Sequence, residues 1–260
     1  MHRKEKYLEK IKRGINCTNS YESGKVVSSK IEKNGVLFEE QSNALLFIEK
    51  TRYKFWRFYF YIQDITKIDW AIFKEKTLIA EIVIRNSKKE KWLPIIQAFQ
   101  EMGGFKVHDV YDRYFKEQTI VDVTDIDFSS LEKPNNEDFD SIQQLIELNF
   151  SPHTDKIPSV LELKEFRETT FIIKNDLEIV AFFITEKKGV TLEFRYWLVL
   201  EEFRGRRYGN LLMKRVLSFD PEIKRVTSWI RQGNDNVIHA HKQMGFKEDG
   251  LTNYILHREK

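Results

Sequence analysis

The chain has 260 residues, room for one large domain or two of ordinary size, and its 41% hydrophobic and 13% aromatic content builds a core and excludes intrinsic disorder. Lys and Arg number 43 against 40 Asp and Glu, so the net charge is only +3; a general polycationic nucleic-acid coat is excluded and any basic site is local. The single cysteine, Cys17, excludes an intrachain disulfide and a cysteine-rich metal site and points to a reducing compartment.

Residues 1–13 are charged, with no apolar stretch behind them, which is not the pattern of a secretory signal. The longest apolar runs are about six residues, as at 179–184, where a membrane span needs about 20. No membrane partner and a cytoplasmic location are therefore expected. In chain order, strands are expected at 35–39, 43–50 and 54–62, a helix at 65–73, a strand at 78–85, a helix at 91–102 and a strand at 107–115. The strand at 54–62 is aromatic on both faces and should be buried on both. A polar stretch with Pro134, residues 129–140, then marks a division into halves 1–128 and 138–260.

Beyond it, Ile142, Leu145, Ile146 and Phe150 have helical spacing, and a shorter helix is expected at 161–167. A strand meander follows at 170–174, 178–185 and 190–200. A loop rich in glycine and arginine, 204–209, opens a helix running to 217; after it come a strand at 225–231, a helix at 234–244 stopped by Gly245, and a closing strand at 253–257. The two halves thus repeat one order of elements. They also share text: IQAFQEMGGF at 96–105 answers IHAHKQMGF at 238–246, with Gly104 and Gly245 lying 141 positions apart. A tandem duplication accounts for both likenesses.

The segment carrying chemistry is 198–212, LVLEEFRGRRYGNLL. Backbone N–H groups at a helix start lack internal partners and carry partial positive charge, which suits a phosphate if side chains let it approach. Gly205 and Gly209 supply space, and Arg204, Arg206 and Arg207 supply charge. Between Arg204 and Arg231 there are eight Lys or Arg and two Asp or Glu, a local basic excess on a near-neutral chain. The charge centres on one loop rather than along an aromatic groove, so a nucleic-acid partner is not expected.

This segment resembles the acyl-CoA pyrophosphate loop of the GNAT superfamily of N-acyltransferases, [Q/R]-x-x-G-x-[G/A]. Arg204 matches its first position and Gly209 its last, while Arg207 stands where the pattern has glycine. Downstream, the family's N-x-x-A-x-x-x-Y-x-x-x-G-F meets Asn234, Val237, His241, Gly245 and Phe246. The resemblance implies an α/β (α+β) fold, a mixed and mostly antiparallel sheet flanked by helices, in two tandem copies. It implies acetyl-CoA or another acyl-CoA as co-substrate, a small-molecule or peptide amine as acceptor, and no metal. On the same grounds the diphosphate is expected on Arg204, Gly205, Arg206, Arg207, Tyr208, Gly209 and Asn210. The arm is expected along the backbone of Leu198 and Val199, with Asn234 holding it or capping its own helix.

Transfer by direct attack needs a neutral amine, a group to take its proton and a donor for the leaving thiolate. Glu193 is the candidate base. Strand alternation sets it on one face with Arg195, Trp197 and Val199, where desolvation beside aromatic rings would raise its pKa. His241, on the family's tyrosine position, is the candidate acid at sulfur. The loop 151–157, with His153 and Asp155, is a candidate acceptor contact or a solvated loop. In the first half the counterpart of the phosphate loop falls near Asp64, in QDITKIDWAIFK, with no glycine and two aspartates, so that half should not bind CoA in this way. The alternatives are a noncatalytic CoA-binding scaffold and a tandem-domain transferase using aminoacyl-tRNA.

Overall fold

A computed structural model describes residues 17–20, 36–117 and 123–260. In chain order the elements are β1 (Cys17–Thr18), β2 (Val36–Gln41), β3 (Ala44–Lys50), β4 (Trp56–Ile62), β5 (Leu78–Arg85), α1 (Lys89–Glu101) and β6 (Lys106–Glu117). There follow α2 (Asp138–Asn149), α3 (Val160–Glu165), β7 (Thr170–Asn175), β8 (Glu178–Lys188), β9 (Thr191–Val199), α4 (Tyr208–Ser218), β10 (Arg225–Arg231), α5 (Asp235–Gln243) and β11 (Lys247–Arg258). Among the described residues no helix is long and apolar enough to cross a membrane.

The contacts divide the chain into two compact units, Met1–Asp112 with Gly250–Lys260, and Arg113–Asp249. The division therefore falls elsewhere than in the polar stretch at 129–140. That stretch belongs to the second unit, where Glu132 bridges to Ile172 and Asp138 holds Lys174 at 2.9 Å. The last strand returns to the first unit because Leu251–Arg258 pairs antiparallel with β5 over eight residues.

In the first unit β2, β3 and β4 form an antiparallel meander. β4 is buried on both faces, as its composition requires. Phe58, Phe60 and Ile62 pack with Phe99 of α1 and Phe105, while Tyr61 lies with Leu45 and Phe47 on the other side. Each such fully buried side chain contributes roughly 1.5–3 kcal/mol. β4 and β5 run parallel but stay in register for only two pairs, Trp56 with Leu78 and Arg57 with Ile79, and then part.

The chain's own residues 17–20 fill that gap. Cys17 and Thr18 pair with Ile62 and Tyr61 of β4. The Asn19 carboxamide donates to the Phe58 carbonyl and accepts from the Phe60 N–H, both at 2.9 Å, so it stands in for the peptide unit of a neighbouring strand. The Thr18 hydroxyl donates to the Phe60 carbonyl at 2.7 Å. The Cys17 thiol is buried in the core, and burial, against a smaller pull from Lys91, pushes its pKa up to about 12.

The helix expected at 65–73 is a single 3-10 turn, Ile65–Lys67, followed by irregular turns with Phe73 at φ +54°. Short polar side chains capture the backbone there. Asp64 accepts from the Thr66 N–H, Asp69 from the Ala71 N–H, and Gln41 bonds both the N–H and the carbonyl of Asp69.

In the second unit β7, β8 and β9 form an antiparallel meander. One face packs α4 through Leu212, Met213 and Val216; the other packs α2 and α3 through Phe139, Ile142, Ile146 and Leu163. Ser159 and Glu162 form a capping box that starts α3. The repeated text has a structural counterpart in each unit. Gly104 (φ +69°) and Gly245 (φ +84°) take the left-handed turn after a helix, and the next residues, Phe105 and Phe246, are buried.

Candidate active site

Strand pairing opens the site. β9 and β10 are parallel and in register only from Thr191–Arg225 to Glu193–Thr227. β9 then continues for six residues to Val199 without that ladder. Six residues at strand rise span roughly 20 Å. The split leads from Glu193 to the loop that follows Val199, and unlike the gap in the first unit it holds no strand of the described chain.

At the far end, a 3-10 turn (Glu201–Phe203) leads through Arg204 into Gly205 at φ +82° and Arg207 at φ +63°, ψ 11°, and α4 begins. No side chain caps the helix start, so the first-turn amides keep their outward donors. They border a depression of about 340 Å³ lined by Val199, Phe203, Arg204, Gly205, Arg207, Tyr208 and Gly209. Arg207 takes the left-handed conformation that glycine adopts freely, so the loop keeps a glycine-like backbone at a cost of about 1–2 kcal/mol.

The two glycines do different things. A Cβ on Gly205 would meet nothing within 4 Å, so this position is open toward the depression. A Cβ on Gly209 would lie 3.1 Å from the Trp197 ring. Gly209 therefore gives room to Trp197 of β9 while its backbone lines the depression. Tyr208 is half-buried, lining the depression and packing on the α4 side of the core. Asn234 sits at the start of α5 but its side chain makes no capping bond.

A one-residue bulge in β9 changes which side chains share a face. Ile184 pairs with Tyr196 but Thr185 with Phe194, so Arg195 is the extra residue. Beyond it alternation is reversed: Leu192, Phe194, Trp197 and Val199 lie on the α4 side, Tyr196 and Leu198 on the α2 side. Glu193 thus does not share a face with Trp197 and Val199, contrary to simple alternation. On the α2 side the Tyr196 hydroxyl donates to the Lys156 carbonyl at 2.8 Å, which ties the loop 151–157 to β9.

The two expected catalytic groups have environments that alter their roles. Burial acts to raise the Glu193 carboxyl, but the Lys188 ammonium at 2.9 Å and the Arg195 guanidinium at 3.1 Å outweigh it and hold the carboxyl below its ordinary value. The expected upward shift is corrected: this carboxylate is ionised and paired. His241 is 1% exposed among the rings of Phe194, Trp197 and Phe246. Its Nδ1 lies 2.9 Å from the Val237 carbonyl oxygen, which can only accept, so Nδ1 carries the hydrogen. Burial lowers its pKa against that bond. The imidazole is neutral near pH 7 and its Nε2, which has no hydrogen-bond partner among the described residues, is an acceptor. It is not the proton donor that its place on the family's tyrosine implied.

Neither the Arg195 bulge nor the filling of the first unit's gap by residues 17–20 was foreseen; both depend on strand register. In the first unit, Asp64 holds the place corresponding to the phosphate loop. Its carboxylate accepts from Thr66 and pairs with Lys67 at 3.1 Å, and these bonds, Thr66 first, lower its pKa.

Residues 137–246 match the model of the Acetyltransferase (GNAT) family. They form a GNAT domain. Solved structures share the fold along most of the chain. A GCN5-related N-acetyltransferase from Sphaerobacter thermophilus aligns with a TM-score of 0.60 at 11% identity, over 92% of this chain and 86% of its own. A tandem GNAT protein from the clavulanic acid biosynthesis pathway aligns at 0.56 and 12% identity, over 98% and 94%. A GCN5-related glucosamine N-acetyltransferase region of a fungal multi-domain GH3 β-N-acetylglucosaminidase aligns at 0.67 and 8% identity, over 98% of this chain and 37% of that one. At such identities the likeness concerns the fold, which here is that of tandem GNAT proteins. Comparison with curated proteins gives no match.

Proposed function

We propose that the chain is an N-acyltransferase that moves an acyl group, acetyl first among them, from its coenzyme A thioester to an amine. The observation that carries this reading is the split between β9 and β10 ending on an uncapped helix start with Gly205 open beside it. The first-turn amides, including Asn210, and the basic loop around Arg204 and Arg206 would hold the diphosphate. The free edge of β9 at Leu198 and Val199 would hold the arm, with the exposed Asn234 side chain available beside it.

In the reaction the amine nitrogen bonds to the thioester carbon, the carbon–sulfur bond breaks, and the nitrogen loses a proton. Glu193 is ionised and can receive that proton directly or through water, as a weak base because its two cations stabilise the charged form. The backbone at the Arg195 bulge, released from regular pairing, is the group best placed on β9 to donate to a developing oxyanion. A thiolate is a tolerable leaving group near neutral pH, so the step does not depend on His241 as an acid.

The paired Glu193 and neutral His241 favour one second reading, a CoA-binding protein without turnover. Thermal shift with acetyl-CoA tests binding, since a ligand at 100 times its Kd stabilises by about 2.7 kcal/mol. CoA release with a panel of amines then tests catalysis. Binding with release supports transfer, binding alone supports the second reading, and no shift overturns both.

A further inference from the structure

The face of the second unit's sheet turned away from α4 carries a cluster of side chains that binding of the cofactor does not use. On β10, Val226 and Ile230 enter the core with α4, and on β6 Tyr114 does the same. Alternation therefore sets Arg225, Thr227 and Trp229, with Arg113 and Phe115, on the opposite face. Their contacts agree: the Arg225 guanidinium lies 4.3 Å from the centre of the Phe115 ring, and that of Arg113 lies 5.6 Å from the Trp229 ring. Glu193 faces the same way, since its neighbours Leu192 and Phe194 are in the α4 core, and it pairs in register with Thr227. Arg225 lies two residues before Thr227, roughly 7 Å along the strand.

The charges on this face are uneven. The Asp249 carboxylate, 3% exposed, accepts from the Arg113 Nε at 2.6 Å and from the Arg225 Nη2 at 3.2 Å. Arg113 by itself supplies the countercharge that one buried carboxylate requires. Arg225 is the surplus cation: its side chain is 41% exposed, and its Nη1 has no hydrogen-bond or ionic partner among the described residues. Asp249 at one edge and the Phe115 ring beside the guanidinium hold it in place without covering it. Around Glu193, by contrast, Lys188 and Arg195 meet two carboxylates, Glu193 and Glu186, so the charge there is balanced.

We propose that Arg225 is the specificity-determining residue for the amine acceptor, and that the acceptor carries an oxyanion, carboxylate or phosphate, which this guanidinium binds while the amine meets Glu193. The inference rests on the acyl-transfer reading given above and names the class of amine that it takes. The planar fork of a guanidinium matches the oxygens of either anion. The separation of Arg225 from the level of Glu193 equals about two residues of extended chain, so the amine and the anion of the acceptor lie several bonds apart, as in a dipeptide. Arg113 and Asp249 are positioning residues, which fix Arg225 and do not touch the acceptor.

Rates of CoA release from acetyl-CoA by the whole chain test this with three acceptors: a dipeptide with a free C-terminus, the same dipeptide as its amide, and an aminoalkyl phosphate. Wild type should use one of the anionic acceptors with a kcat/KM roughly tenfold or more above that of the amide. Which anion it uses distinguishes carboxylate from phosphate. Arg225→Met should raise the KM of that acceptor roughly tenfold, the loss of one charge-assisted hydrogen bond, while its kcat and the kinetics of the amide stay within about twofold. Arg225→Lys should keep part of the preference, because it keeps the charge and loses the fork. A role confined to compensating Asp249 would move all acceptors together. The proposal is overturned if wild type uses the amide as well as the anionic acceptors, or if Arg225→Met lowers all three alike. Wild type that binds acetyl-CoA and releases CoA with no amine overturns the acyl-transfer reading and this inference with it, a result distinct from turnover that ignores the charge of the acceptor.

Discussion

In both units a strand and its parallel neighbour begin together and then separate. β4 and β5 keep register for two pairs, β9 and β10 for three. The first gap is closed by the chain itself, with Asn19 and Thr18 bonding the β4 edge and Cys17 seated in the core. The second stays open along β9 and ends on an uncapped helix start. The N-terminal gap ends near Asp64, where a carboxylate has taken the local donors. The same topology therefore serves as a scaffold in one unit and as a candidate cofactor cleft in the other. The difference lies in what meets the parted strand: residues 17–20 in the first unit, and no strand of the described chain in the second.

The sharpest way to break this comparison is to put a negative charge at the open end. Gly205→Glu projects a carboxylate into unobstructed space, and repulsion of a diphosphate costs several kcal/mol, so acetyl-CoA affinity should fall at least about a hundredfold. Calorimetry checks this; unchanged affinity would place the cofactor elsewhere.

The closed gap makes the next prediction. Wild type should bind a single acetyl-CoA per chain. Asn19→Ala leaves the Phe58 carbonyl and Phe60 N–H without their partner and should destabilise the chain by about 1–3 kcal/mol in chemical denaturation. Cys17 should then react faster with a thiol reagent, while the acetyl-CoA stoichiometry stays the same. A second equivalent bound to wild type would show that the two gaps do not differ as described.

Smaller effects refine the open side. Gly209→Ala presses a methyl against Trp197 and should cost about 1–2 kcal/mol, read as a lower Tm. His241 contributes a pH dependence with a definite sign. Its folded pKa is below the ordinary 6.5, so the unfolded chain binds more protons as pH falls below that value. Its stabilising effect is present above pH 6.5 and is lost on acidification through the folded pKa. His241→Phe should therefore flatten the fall in Tm between pH 7 and 5. His257, whose pKa is also lowered, chiefly by burial, leaves a residual slope.

Much of the second unit was legible in the text. Apolar alternation and glycine punctuation locate β7 to β10 and the helix after the loop, because those residues face one core each. The helix expected at 65–73 failed because Asp64, Asp69 and Gln41 bond the backbone locally, a competition that periodicity does not register. The face of Glu193 was misread because alternation assumes an unbroken ladder, and one extra residue at Arg195 reverses it.

Composition, periodicity and the spacing of RGRRYG to NDNVIHAHKQMGF determined by themselves that a strand runs into an arginine-bearing loop and a helix, and that the two halves repeat. These are short-range properties, set by side chains acting on their own backbone. Tertiary structure alone decided the rest. It chose which gap is filled by residues 17–20 and which of the loop's arginines line the depression. It also chose whether a carboxylate and an imidazole keep their solution chemistry. Those outcomes turn on partners far away in sequence and on burial, and no local pattern encodes either.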